Sequence, residues 1–176
     1  MKNFSTQKLT LSALFLTLAL LMPFLTGQIP ALGNKLLPMH IPVLLCGFVC
    51  GWQYGLIVGF IAPLLRHLLF HMPPLLSALT MAFELAAYGF SCGILYKTFS
   101  KNIKNIYLTL IFSMVFGRIV WGIASFIIYS LLGNTFTIKI FIASGFINAI
   151  LGIIIQIILI PILVLTLERK GLIKNE

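Results

Sequence analysis

The sequence predicts an all-α polytopic membrane protein, a bundle of six transmembrane helices with both termini cytoplasmic. Hydrophobic residues fill 60% of the 176 positions and charged residues only 9%, against about 45–50% and about 25% in ordinary soluble domains. The apolar residues also fall in six runs, near 9–26, 38–51, 53–70, 76–97, 106–132 and 139–167. At about 20 residues per span, six helices consume roughly 120 positions. No room remains for a separate soluble domain, so residues 1–176 form one integral membrane domain.

The first run follows Lys2 and Lys8 in the manner of a signal peptide, but without a soluble domain behind it the run is expected to be retained as helix one. The second is short and is interrupted by Pro38 and Pro42, which suits an irregular segment dipping into the bundle. Gly51-Trp52-Gln53-Tyr54-Gly55 allows only a tight turn, so helices two and three form a hairpin. Helix four follows the stiff loop His71-Met72-Pro73-Pro74. Helix five ends before 139, and the last run exceeds the length a span requires, which permits tilt.

Charge placement sets the orientation. The chain carries twelve Lys and Arg against three acids, a formal net charge of +9. With six crossings, Lys2, Lys8, Lys97, Lys101, Lys104, Arg169, Lys170 and Lys174 fall on the side of the N-terminus, and Lys35 and Lys139 on the other. That asymmetry marks the N-terminal side as cytoplasmic. The basic charge is thus matched to membrane lipid and topology, not to nucleic acid. Glu168 and Glu176 read as part of the C-terminal tail.

Three charges remain inside apolar runs: Arg66, Glu84 and Arg118. Buried charges in a span face a partner or a wet cavity. A rise of about 1.5 Å per residue puts Arg66 about 6 Å, Glu84 about 12 Å, Asn148 about 14 Å and Arg118 about 20 Å below the outer end of their helices. Long arginine side chains reach toward the Glu84 layer from above and below, so the polar groups converge on the outer half of the bundle. Two readings stand at this point: a ligand cavity, or charge pairs that only fix packing. His40 and Trp121 join the candidates by position, with Arg66, Glu84, Arg118 and Asn148. The outer segment 27–42, with Gly27, Pro30, Gly33, Asn34 and Lys35, has the composition of a gating loop. Ala13 and Thr17 form a small-residue pair on helix one that permits close approach of another helix, and Ser12 and Ala19 extend it.

Several chemistries lack their residues. There is no phosphate-binding Gly-x-x-x-x-Gly-Lys-Ser/Thr loop, and no nucleophile stands beside a base. Three histidines without an acid cluster do not make a metal site. Cys46, Cys50 and Cys92 sit in apolar runs as small hydrophobes. Neither catalysis nor a cofactor is expected.

The stretch from Leu37-Pro38-Met39-His40-Ile41-Pro42 through Gly47-Phe48, then Tyr54-Gly55 to Pro63-Leu64-Leu65-Arg66, Met72-Pro73-Pro74 and Met81-Ala82-Phe83-Glu84-Leu85, resembles the substrate-binding S components of energy-coupling factor vitamin transporters. Gly117-Arg118-Ile119-Val120-Trp121-Gly122 and Asn148-Ala149-Ile150-Leu151-Gly152 fit the same pattern, so the likeness covers nearly the whole chain. It implies a subunit that captures a vitamin or precursor from outside, docks on a transmembrane coupling subunit carrying two ATPases, topples and releases its cargo inward. Helix one's Ala13 and Thr17 stand at the family's docking motif, with Thr17 in place of the usual alanine. Metal-specific relatives use an amino-terminal Met-His. Met39-His40 is internal here, which disfavours nickel or cobalt. The resemblance is nearest to members for pantothenate, then to those for cobalamin-related compounds such as dimethylbenzimidazole or its riboside. The alternative is a self-sufficient proton-coupled carrier using Glu84.

Overall fold

The computed structural model describes residues 6–26, 29–99 and 102–173. Among the described residues every regular element is helical. The order is α1 (Thr6–Leu21), a 3-10 stretch (Met22–Thr26), α2 (Pro30–Leu36), α3 (His40–Cys50), α4 (Trp52–Phe70), α5 (Leu75–Thr98), α6 (Ile103–Leu131), α7 (Ile138–Ile142), a wide π-type turn (Ala143–Ile147) and α8 (Ile150–Arg169).

Five stretches among the described residues are long and apolar enough to cross a membrane: Thr6–Thr26, α4, α5, α6 and α8. The expected six-helix count needs revision in two places. The second run yields α3, whose 11 residues rise only ~16 Å, about half the hydrocarbon thickness. All of them are buried. A helix this short is tolerated at membrane depth because protein surrounds it, here α1, α4, α5 and α8. The last run breaks: α7 passes into the wide turn, where the Asn148 N–H bonds the Ala143 carbonyl at 2.9 Å, five residues back. Ser144-Gly145 and Asn148 lie in the interruption.

The connections give the direction of each helix. Phe48, near the end of α3, stacks edge-on against Tyr96 of α5 at 4.9 Å, and the Tyr96 hydroxyl donates to Glu168 near the end of α8. Lys8, near the start of α1, is within electrostatic reach of Cys50. The start of α1 and the end of α8 therefore share one end of the bundle. Glu168 belongs to α8 and ties it to α5; it is not part of a tail, contrary to the sequence expectation.

Glycines set the packing of α3, α4 and α5. A Cβ added to Gly55 would lie 2.5 Å from the Gly89 carbonyl oxygen, and one on Gly59 would lie 2.3 Å from that of Leu85. Gly93 lies equally close to the Trp52 backbone, at 2.2 Å for the same imagined carbon. Gly55-x-x-x-Gly59 on α4 thus faces Gly89-x-x-x-Gly93 on α5, backbone against backbone, as small residues allow in membranes.

Candidate functional site

At the end of the bundle opposite those helix ends lies a cavity of about 450 Å³, within the range of small-molecule sites. One face of α5 lines it with Ser77, Thr80, Met81 and Glu84, and one face of α6 with Arg118, Trp121, Ser125 and Tyr129. Each set keeps the three-to-four-residue spacing of a helical stripe. Pro73 and Pro74 form one rim, Thr135 and Phe136 another. Residues 29, 33 and 37 bring α2 and its flanks to a third side.

Glu84, His40 and Arg118 meet at the floor. Glu84 Oε1 lies 2.7 Å from Arg118 Nη1 and 3.5 Å from His40 Nε2. All three side chains are nearly inaccessible, at 2%, 5% and 1% exposure for Glu84, Arg118 and His40. Tyr88, one turn along α5, donates its hydroxyl to Glu84 and sets its ring edge-on to His40 at 5.3 Å. The same ring packs where a Cβ on Gly117 would sit, 2.0 Å away, so only glycine lets α6 pass close enough for Arg118 to reach Glu84. Arg118 Nε and Nη2 have no partner.

Arg66 behaves otherwise. The rise arithmetic brings it toward Glu84, but its Nη1 donates to the Leu20 carbonyl, one of the free carbonyls at the end of α1. The Phe24 and Phe70 rings stand 4.9 Å and 5.2 Å from the guanidinium carbon, a cation–π arrangement. Arg66 lines the cavity at only 2% exposure, so it neither snorkels to the surface nor joins the Glu84 cluster.

Trp121 stacks on Phe141 at 6.0 Å and meets Phe136 edge-on at 5.7 Å, which makes an aromatic wall between α6 and α7. Asn148 sits at the helix break, lines the cavity and is exposed. All six residues expected as ligands, His40, Arg66, Glu84, Arg118, Trp121 and Asn148, border this one space. Thr80, Ser125 and Tyr129 were not anticipated, although extending the stripes of Glu84 and Arg118 by whole turns would have found them.

The segment expected as a loose gating loop holds a helix, α2, opened by Pro30 and containing Asn34 and the exposed Lys35. Its end is seated on α8: a Cβ on Gly152 would come within 2.8 Å of the Lys35 and Leu36 carbonyl oxygens. Gly33 lines the cavity, with nothing within 4 Å of an added Cβ. Gly27 lies outside the described residues.

Ala13 and Thr17 are exposed on α1, and the Thr17 hydroxyl is satisfied by the Ala13 carbonyl at 3.0 Å. They present a smooth outward patch. Ser12 and Ala19 do not extend it: both are buried against the bundle.

A helical membrane bundle with a cavity at one end agrees with a family match across residues 7–164, to the model described as ECF transporter, substrate-specific component. The chain belongs to the substrate-specific components of ECF transporters. This S component is a substrate-binding subunit of a multi-pass membrane transport system. No curated protein and no solved structure matches it.

Proposed function

We propose that this S component takes up a vitamin or vitamin precursor from outside the cell and delivers it through an ATP-driven importer. The observation that carries the reading is the cavity: its walls combine a buried Glu84–Arg118 pair with the Trp121 aromatic wall, the mixture of apolar surface and few polar groups expected of a small-molecule site. His40, Arg66, Glu84, Arg118, Trp121 and Asn148 form the proposed binding surface. Of these, Arg118, Trp121 and Asn148 contact the solute, while His40 and Glu84 hold Arg118 in place and Arg66 fastens α4 to α1.

In this reading both termini are cytoplasmic and the cavity opens outward, as the lysines and arginines at the chain-end side favour. The segment around Gly27, Pro30, Gly33, Asn34 and Lys35 closes the mouth, with α2 swinging from its seat on Gly152. The exposed Ala13–Thr17 patch docks on a transmembrane coupling subunit bearing two ATPases, which supply the hydrolysis this chain does not perform. Pantothenate is the first candidate solute, and a cobalamin-related compound such as dimethylbenzimidazole or its riboside the second.

The carrier alternative would need Glu84 to gain and lose a proton in each cycle. Its 2.7 Å contact with Arg118 gives it a positioning role that requires none. Mass spectrometry of compound released from the purified chain tests the capture reading directly. A stoichiometric vitamin or precursor is expected, and a chain that never holds a small molecule would overturn it.

A further inference from the structure

We propose that the solute carries a flat heteroaromatic ring, and that this ring stacks on the face of Trp121 turned toward the cavity. The proposal deepens the capture reading and rests on it. A solute touches only what the walls expose, and the charged groups expose almost nothing: Arg66, Glu84 and Arg118 are all buried, as is His40. Glu84 and Arg118 are engaged with each other at 2.7 Å, and Arg66 with the Leu20 carbonyl and two phenylalanine rings. Trp121 differs, because it lines the cavity and is only half-buried.

The neighbours of the indole decide which face is free. Phe141 lies on one side of it, at 6.0 Å with the planes 25° apart, an offset stack. Among the described residues Trp121 borders the cavity and Phe141 does not, so Phe141 backs the indole and the opposite face looks inward. The indole is held at its edges as well: Phe136 meets it edge-on at 5.7 Å, and a Cβ on Gly145 would lie 3.4 Å from Trp121 Cζ3. Gly122 leaves room for the Phe141 ring, which an added Cβ would approach to 2.5 Å. A platform fixed from behind and at its edges loses little freedom when a ring settles on it.

The groups beside the platform suit the edge of a ring. Gly145 belongs to the wide turn that leads into Asn148, whose side chain borders the cavity and is exposed. An amide both donates and accepts hydrogen bonds, which matches ring nitrogens that accept and ring N–H or amino groups that donate. Met72 and Met81 line the same space, and thioethers make favourable contacts with ring edges. A benzimidazole or its riboside therefore stands ahead of pantothenate, whose open chain has no flat face to stack.

The test uses the full chain purified in detergent. Compound released from it is identified by mass spectrometry and by its near-ultraviolet absorption, and a heteroaromatic compound is expected. In parallel, dimethylbenzimidazole, its riboside, nicotinamide and pantothenate are titrated into the Trp52→Phe chain. The protein has two tryptophans, and Trp52 packs against Phe90 at the other end of the bundle, so the remaining emission reports Trp121. A stacked ring should change that emission saturably. Trp121→Phe keeps a flat face, whereas Trp121→Leu keeps only apolar bulk; unfolding midpoints without solute check that both fold. Ring binding should weaken by about tenfold or more in Trp121→Leu, the loss of one stacking contact, with Trp121→Phe in between. A released compound without an aromatic ring, pantothenate bound in preference to every ring tested, saturable ring binding that leaves Trp121 emission unchanged, Trp121→Leu binding as tightly as Trp121→Phe, or no ring bound in either assay would each overturn the proposal. An acyclic compound held stoichiometrically would do so while leaving the capture reading intact.

Discussion

Removing the Glu84 carboxylate strands the Arg118 charge where water cannot replace the partner. The pair is 2.7 Å apart, with side chains 2% and 5% exposed, and breaking one side of such a pair costs about 3–5 kcal/mol. Glutamine retains an amide oxygen able to accept from Nη1, which places Glu84→Gln near the lower end, about 3 kcal/mol. Arg118→Met leaves the carboxylate with only His40, at 3.5 Å, and Tyr88, and its cost should lie in the same range. The double variant removes both charges together. If the two side chains act as a pair, its cost falls below the sum of the single costs by about 2 kcal/mol, within the usual range for contacting residues. Equilibrium unfolding in detergent micelles measures all four corners of this cycle. Costs that add to within about 0.5 kcal/mol, the behaviour of independent sites, would refute the reasoning that the pair builds the cavity floor.

Three further outcomes follow from the packing and from the exposed patch. Gly89→Val puts side-chain carbon into the Gly55 backbone, where even a Cβ lies 2.2 Å from the carbonyl oxygen; a loss of about 3 kcal/mol or more is expected, read as a lowered unfolding midpoint, whereas an unchanged midpoint would contradict the backbone contact. Gly152→Leu unseats the end of α2 while leaving α5 and α6 untouched, so solute dissociation should accelerate at least severalfold with little change in unfolding. Ala13→Trp and Thr17→Trp roughen a face that is exposed among the described residues; solute binding should persist while co-purification with the coupling subunit is lost, and retained co-purification would remove α1 as the docking face.

Much of the fold was legible because membrane insertion writes itself into composition: apolar length places four of the six runs, 9–26, 53–70, 76–97 and 106–132, within three residues of spans in the structure. The convergence of Glu84, Arg118 and Asn148 was also legible, since helical rise converts sequence position into depth. What depth does not give is azimuth. Arg66 was placed near the right level but turns to the free carbonyl of Leu20, a partner set by where α1 ends and packs. The break in the last run left a mark in Ser144-Gly145 and Asn148, small and polar residues amid isoleucines, and the Gly55/Gly59 and Gly89/Gly93 spacings were open to reading as close-packing motifs. Pro30 similarly marked a helix start inside the supposed loop. The shortness of α3 was suggested by its prolines, but its complete burial follows only from the helices assembled around it.

The central claim is that this chain captures a solute and depends on partners to move it. Uptake into proteoliposomes tests that most directly, with radiolabelled pantothenate or the co-purified compound, comparing this chain alone with the chain joined to a coupling subunit and two ATPases. The account predicts stoichiometric binding without accumulation for the chain alone, and ATP-dependent accumulation for the assembly. Full accumulation by the chain alone, driven by a proton gradient and abolished in Glu84→Gln, would contradict it.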